Sequence, residues 1–255
     1  MKKTLSLIFF LNCTSVLIYS QIGKSVEFPS KDGLIITADL YIFNDNLNTP
    51  LILLFHQAGW SRGEYIETAP ELNKLGFNCI AVDLRSGGEI NGIINETFKR
   101  AASRGSKTSY LDAEQDMLSA IDYAIKNFAK GSLIIFGSSF SASLVLKIAG
   151  DFPEIADGVI AFSPGEYFNK SGKSDTFIRE SAENIVIPVF ITSAKNEKER
   201  WQPIYEAIKS KTKYYYLPDT GGNHGSRALW SKFSDSKNYW DALKNFLQKF
   251  NNPED

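Results

Sequence analysis

Histidine, cysteine and methionine are scarce in this chain, with two of each among 255 residues. The two histidines, His56 and His224, stand far apart, and Cys13 and Cys79 do not fall at a metal-ligand spacing, so no metal site is expected. Lysines and arginines do not exceed the acids; the net charge is −1, which gives no basic footprint for nucleic acid or an anionic membrane surface. Two Gly-Lys-Ser triplets, at residues 23–25 and 172–174, lack the upstream glycine of a phosphate-binding loop, so no nucleotide cofactor is expected either. No apolar run reaches the roughly 18 residues that a membrane span needs.

What is present begins with a basic start, Lys2-Lys3, and an apolar stretch from Leu5 to Leu11 that resumes at Val16 to Tyr19. The polar Asn12 to Ser15 interrupts it, and Ile18-Tyr19-Ser20 ends on a small residue before Gln21. Residues 1–20 therefore read as a secretory signal peptide cleaved between Ser20 and Gln21, placing the protein in the periplasm or outside the cell. An uncleaved anchor or a lipoprotein acylated at Cys13 are the competing readings, although Leu11-Asn12 fits lipoprotein processing poorly. Losing Lys2 and Lys3 takes the net charge from −1 to −3. Residues 21–255 are long enough for one large domain with a sizeable core. Cys79, then alone, has no disulfide partner within the chain and sits in a strand pattern as a buried thiol.

Strand and helix patterns alternate along that domain. Apolar or alternating strands are expected at 25–28, 34–43, 51–55, 77–82, 133–136, 158–162, 185–192 and 213–217. Amphipathic helices are expected at about 65–75, 110–128, 141–149, 201–208 and 229–250. Two stretches, 87–109 and 165–184, have no steady period and read as long functional loops shaping a pocket, their aromatics hinting at an apolar or aromatic substrate group. The alternation predicts an α/β fold: a mostly parallel central sheet of about eight strands with helices on both faces and an antiparallel edge from the first two strands. In such sheets, reactive groups collect beyond the carboxyl ends of the strands.

Residues 131–143, Gly-Ser-Leu-Ile-Ile-Phe-Gly-Ser-Ser-Phe-Ser-Ala-Ser, are where chemistry shows itself. A buried strand runs directly into an amphipathic helix through Gly137-Ser138-Ser139-Phe140-Ser141. A turn that sharp requires small residues two places either side of its apex, here Gly137 and Ser141, and presents the Ser139 hydroxyl as a nucleophile. The Gly-x-Ser matches ending at Ser25 and Ser174 lack that strand-to-helix setting. A serine nucleophile needs a base, an orienting acid and donors for an oxyanion. His224, in the loop Gly221-Gly222-Asn223-His224-Gly225 after the last strand, is the base; His56 is expected to pack and hydrogen-bond locally. Glu197, just past the strand ending at Thr192, is the candidate acid, with Asn196 as a neutral alternative. The backbone N–H of Phe140, and one from the loop after Phe55, supply the oxyanion donors; Gln57 and Ala58 are the candidates there, Ala58 preferred. Gln57 and Trp60 are expected to touch substrate, while Asp83 and Arg85 knit the rim by ion pairing.

The order Ser139, Glu197, His224, together with His56-Gln57-Ala58-Gly59 after the third strand, resembles the α/β-hydrolase superfamily, in the style of dienelactone-hydrolase-like and small esterase members. The chain departs from that pattern at Ser141, where the second elbow glycine is usual, at Glu197, where aspartate is usual, and at Gln57, where His-Gly is common. The resemblance implies hydrolysis of a small ester or other acyl substrate through an acyl-enzyme. A peptidase or thioesterase using the same residues, or a catalytically silent binding protein on the same fold, are the alternatives. The oligomeric state is left open.

Overall fold

The computed structural model describes residues 23–251, so the expected leader and its cleavage site lie outside the described residues. Eight strands form one sheet: β1 (Lys24–Pro29), β2 (Ile35–Tyr41), β3 (Leu51–Phe55), β4 (Asn78–Val82), β7 (Leu133–Ser138), β8 (Gly158–Phe162), β9 (Val189–Thr192) and β10 (Lys213–Tyr216). A separate hairpin supplies β5 (Glu89–Ile90) and β6 (Ile93–Ile94). The order across the sheet is β1-β2-β4-β3-β7-β8-β9-β10. The first two strands pair antiparallel with each other and β2 pairs antiparallel with β4, whereas every other neighbouring pair is parallel. The expected fold class, antiparallel edge included, is the observed one.

Side-chain alternation along the buried strands builds a core on each face. In β3 and β7, Leu51, Leu53, Phe55, Leu133 and Ile135 face one side. There they meet α3 (Glu114–Asn127), α4 (Phe140–Asp151), α5 (Phe177–Ala182) and α6 (Lys198–Ala207). Ile52, Leu54, Ile134 and Phe136 face the other side, against α1 (Thr68–Lys74) and α7 (Ser236–Asn251). Cys79 is fully buried in this second core, which pushes its thiol well up and leaves it inert. The parallel register sets Phe55 beside Gly137, Ser138 beside Phe162, and Phe162 beside Thr192, so four strands end on one level rim. Among the described residues, no helix is long and apolar enough to cross a membrane.

The two stretches read as loops need correction. Residues 87–109 contain the β5–β6 hairpin, turned by Asn91-Gly92 with both residues at positive φ, and α2 (Glu96–Ser103). Asn95 caps α2 by accepting the Phe98 N–H at 2.7 Å. Residues 165–184 contain a 3-10 turn, Asn169–Ser171, and α5. Phe168 is buried in the core and Phe177 packs edge-on against it. The C-terminal helix starts at Ser236 rather than Leu229, after a separate 3-10 turn at Ser226–Leu229.

Candidate active site

Ser139 takes φ 60° and ψ −119° between β7 and α4, a conformation that costs a side-chain-bearing residue about 1–3 kcal/mol. The surrounding turn enforces it. A Cβ on Gly137 would lie 2.3 Å from the Ser141 carbonyl oxygen, so only glycine fits. Ser141, at the family's second glycine position, uses its hydroxyl to close the turn: it accepts the Ser138 N–H at 2.8 Å and donates to the Phe55 carbonyl at 2.7 Å. The Ser139 N–H donates to the Phe162 carbonyl at 2.8 Å, anchoring the apex to the neighbouring strand.

The loop after β10 brings His224 across the sheet end, helped by Gly222 and Gly225 at positive φ. Its Nε2 lies 2.8 Å from Ser139 Oγ and its Nδ1 lies 2.5 Å from Glu197 Oε1. Glu197 closes a 3-10 turn, Lys195–Glu197, and is buried. Its second oxygen accepts the Ser163 hydroxyl at 2.7 Å and the Ala194 N–H at 3.3 Å. Burial alone would push the Glu197 carboxyl up; the hydrogen bonds from His224 and Ser163 outweigh it and hold the group below its ordinary value. Asn196 points to solvent, so the carboxylate, not the amide, faces the imidazole. Ser163, not anticipated from sequence, is fully buried at φ 58° and also accepts the Gly225 N–H at 2.8 Å. It thereby fixes the acid and the histidine loop together.

On the opposite side, His56 is fully buried. It accepts the Leu84 N–H at Nε2 (2.9 Å), and its Nδ1–H donates to the Gln57 carbonyl (2.8 Å). Burial pulls its pKa down to about 4, so it is neutral in this tautomer. The Gln57 N–H is already committed to Glu64 at 2.7 Å. Ala58 N–H has no partner among the described residues, and Phe140 is the first residue of α4, where an N–H has no intrahelical acceptor. Of the two donors considered after Phe55, Ala58 is thus the free one. Gln57 is corrected as a substrate contact: its side chain is buried and turned inward, with Nε2 3.4 Å from Glu64 Oε1. Trp60, half-buried, stacks on Trp230 at 5.3 Å. Tyr110 stacks on Phe140 at 4.6 Å. Asp83 and Arg85 pair with other residues rather than each other, Asp83 with Arg62 and Arg85 with Asp32 and Asp116.

A cleft of about 430 Å³ is lined by Gly165, Glu166, Tyr167 and Arg200. The Tyr167 hydroxyl donates to the Ser163 carbonyl at 2.8 Å and lies near the Ser139 hydroxyl and the Arg200 guanidinium. Burial pushes that phenol up to about 12. A hydroxyl, an imidazole and a carboxylate in series, next to free backbone N–H groups, can make an alkoxide-like nucleophile and hold a tetrahedral oxyanion.

This sheet and rim define an α/β hydrolase. Residues 48–192, more than half of the chain, match the family described as serine aminopeptidase, S33, and the chain belongs to that family of hydrolases. No curated protein sequence matches it. Solved structures with the same fold include an esterase from Pyrococcus furiosus, with TM-score 0.68 and 19% identity over 91% of this chain and 94% of that one. A dienelactone hydrolase from Anabaena variabilis gives TM-score 0.68 and 14% identity over 89% and 97%. Est1E from Butyrivibrio proteoclasticus, with ferulic acid bound, gives 0.67 and 15% over 88% and 98%.

Proposed function

We propose that this hydrolase cleaves a carboxylic ester of a small molecule through an acyl-enzyme on Ser139. The observation that carries the reading is the bridging imidazole: one nitrogen of His224 faces the Ser139 hydroxyl and the other faces Glu197. In this reading, Ser139 Oγ attacks the ester carbonyl carbon while its proton passes to His224 Nε2. Glu197 keeps the Nδ1–H tautomer and stabilises the imidazolium. The oxyanion is held by the N–H groups of Ala58 and Phe140. Collapse breaks the C–O bond, the alcohol leaves with the proton from His224, and a water activated by the same imidazole releases the acid. Tyr167, near the Ser139 hydroxyl, and Tyr110, stacked on the adjacent Phe140, favour an apolar or aromatic acyl or alcohol group.

The family's description raises aminopeptidase activity as a second reading. An aminopeptidase must neutralise the free ammonium of its substrate. In the adjoining cleft, however, both Glu166 oxygens already accept the Ile178 and Arg179 N–H groups, and the Arg200 guanidinium beside it would repel an ammonium. The ester is therefore preferred. p-Nitrophenyl esters of graded chain length, run beside aminoacyl p-nitroanilides and thioesters, test the choice; turnover of the anilides alone would reject it. Ser139→Ala is expected to lose about 10⁴-fold or more of ester turnover and all labelling by a fluorophosphonate. Labelling that persists in the variant would reject Ser139 as the nucleophile. The N-terminal sequence further supports export, tested by whether protein recovered outside the cytoplasm begins at Gln21.

A further inference from the structure

Behind the serine turn lies a carboxylate that the proposed chemistry does not use. Glu64, in the 3-10 turn Arg62–Tyr65, is fully buried and forms no ion pair among the described residues. Its Oε2 accepts the Gln57 N–H at 2.7 Å; its Oε1 accepts the Ser138 hydroxyl at 2.7 Å and also the Ser226 hydroxyl. The Ser226 N–H donates to Ser138 Oγ at 2.9 Å, closing a ring. The turn is itself held in place, since the Glu64 carbonyl accepts the Trp230 indole N–H at 3.0 Å. One carboxylate thus joins three segments: the residue before Ala58, the residue before Ser139, and the second residue after His224.

Burying a carboxyl without a cation is costly, and apolar packing would stabilise the core at least as well. The geometry shows what the group does instead. It fixes the Gln57 N–H backward, while the Gln57 carbonyl is held by His56 Nδ1–H at 2.8 Å and by the Trp60 N–H at 3.3 Å. In a planar trans peptide, the N–H and C=O point in opposite directions. With the Gln57 carbonyl held, the Ala58 N–H must point away from His56 and Trp60, free of any partner among the described residues. We propose that Glu64 is a positioning residue that pins the Gln57–Ala58 loop to the serine turn and the histidine loop, so that the Ala58 N–H is preset as an oxyanion donor. This rests on the ester-hydrolase reading for its catalytic consequence but not for the pinning itself.

The test uses E64Q in the full chain. A glutamine has one acceptor oxygen, so its NH₂ must confront a donor in this ring. Amide hydrogen exchange in residues 56–60 is expected to quicken while the strands of the sheet keep their protection. On p-nitrophenyl butyrate, kcat is expected to fall about 10²-fold, the scale of losing one oxyanion donor, with KM nearly unchanged. The preference for that ester over its thionoester, whose sulfur suits an oxyanion site poorly, should shrink; merely loosened folding would not move this ratio. Unchanged exchange in 56–60 overturns the pinning whatever the activity. Faster exchange with kcat and the ester-to-thionoester ratio both unchanged overturns the positioning role. If E64Q does not fold, S226A removes one hydroxyl from the ring and is read the same way, with a smaller effect of the same sign expected; no change in exchange or ratio overturns the proposal. A wild-type protein that turns over no ester would reject the ester reading, and the exchange result would then decide the pinning alone.

Discussion

Ser163 is the residue on which the orientation of the acid depends. Its hydroxyl donates a hydrogen bond to Glu197 and accepts the Gly225 N–H, and its left-handed backbone is what turns the side chain under the histidine loop. Ser163→Ala removes a hydrogen bond to a charged group, the class worth about 1.5–3 kcal/mol. The expected result is a loss of roughly tenfold to a hundredfold in kcat/KM. The Glu197 carboxyl, now less well supported, should also rise toward its ordinary value, so the acid limb of the pH–rate profile should move to higher pH. A profile of unchanged shape would show that Ser163 does not act through Glu197. Glu197→Gln should cost less than Ser139→Ala, because an amide can still orient the imidazole while failing to stabilise its charge; an unchanged rate would assign the acid elsewhere. Ser139 and His224 were legible in the sequence because the chain has so few histidines and because a buried strand running through small residues straight into a helix marks the turn that presents a serine. Glu197 was legible from its place just past a strand end. Ser163 and Glu64 were not, since each acts through partners on segments brought together only by the fold, as Glu64 is with Ser138 and Ser226.

Between elements, the close approach of α4 and α5 is set by a single glycine. A Cβ on Gly150 would stand 1.9 Å from the Ser181 carbonyl oxygen, a backbone atom that cannot step aside alone. Two effects oppose each other in Gly150→Ala. Helix propensity favours alanine by about 1 kcal/mol, whereas forcing two packed helices apart costs about 1–3 kcal/mol or more. The overlap is with backbone and the site is fully buried, so the cost wins: Tm should fall by about 5 °C in a calorimetric scan. A raised Tm would mean that α5 is free to move off α4. Gly150 lies outside the site, and kcat/KM at 25 °C should be unaffected. That contact also explains the limits of reading elements from pattern. The strands β3, β4, β7 and β8 are buried along their whole length and apolar but for Asn78 and Ser138 at strand ends, because both faces are covered, and such runs declare themselves. Helix α5 has six residues, too few for a helical period to repeat, and is held by its seat on α4 and by Glu166 at its first turn. The β5–β6 hairpin carries a legible signal, Asn91-Gly92 between isoleucines, but its strands are two residues each and offer no alternation.

For the molecule as a whole, the rim couples the site to stability through pH. His56 bridges the ends of β3 and β4 as a neutral ring, and its folded pKa of about 4 lies below the ordinary value of 6.5. Between those values the unfolded chain takes up a proton that the folded chain refuses, so stability is full above about pH 6.5 and is lost as pH falls toward 4. At pH 5 the loss from this residue is about 2 kcal/mol. Asp83, which burial pushes up to about 6, acts in the opposite sense between roughly pH 4 and 6, as its folded form holds a proton the unfolded form has released. The net pH dependence therefore mixes both, and the informative quantity is a difference between variants. His56→Gln can still donate to the Gln57 carbonyl or accept the Leu84 N–H, but it does not titrate. It should be less stable than wild type at pH 7.5, yet the gap measured from urea midpoints should narrow by about 2 kcal/mol at pH 5. A gap of constant size across that range would mean that His56 is protonated in the fold at pH 5, which would remove Nε2 as an acceptor for the Leu84 N–H and with it the bridge between the ends of β3 and β4.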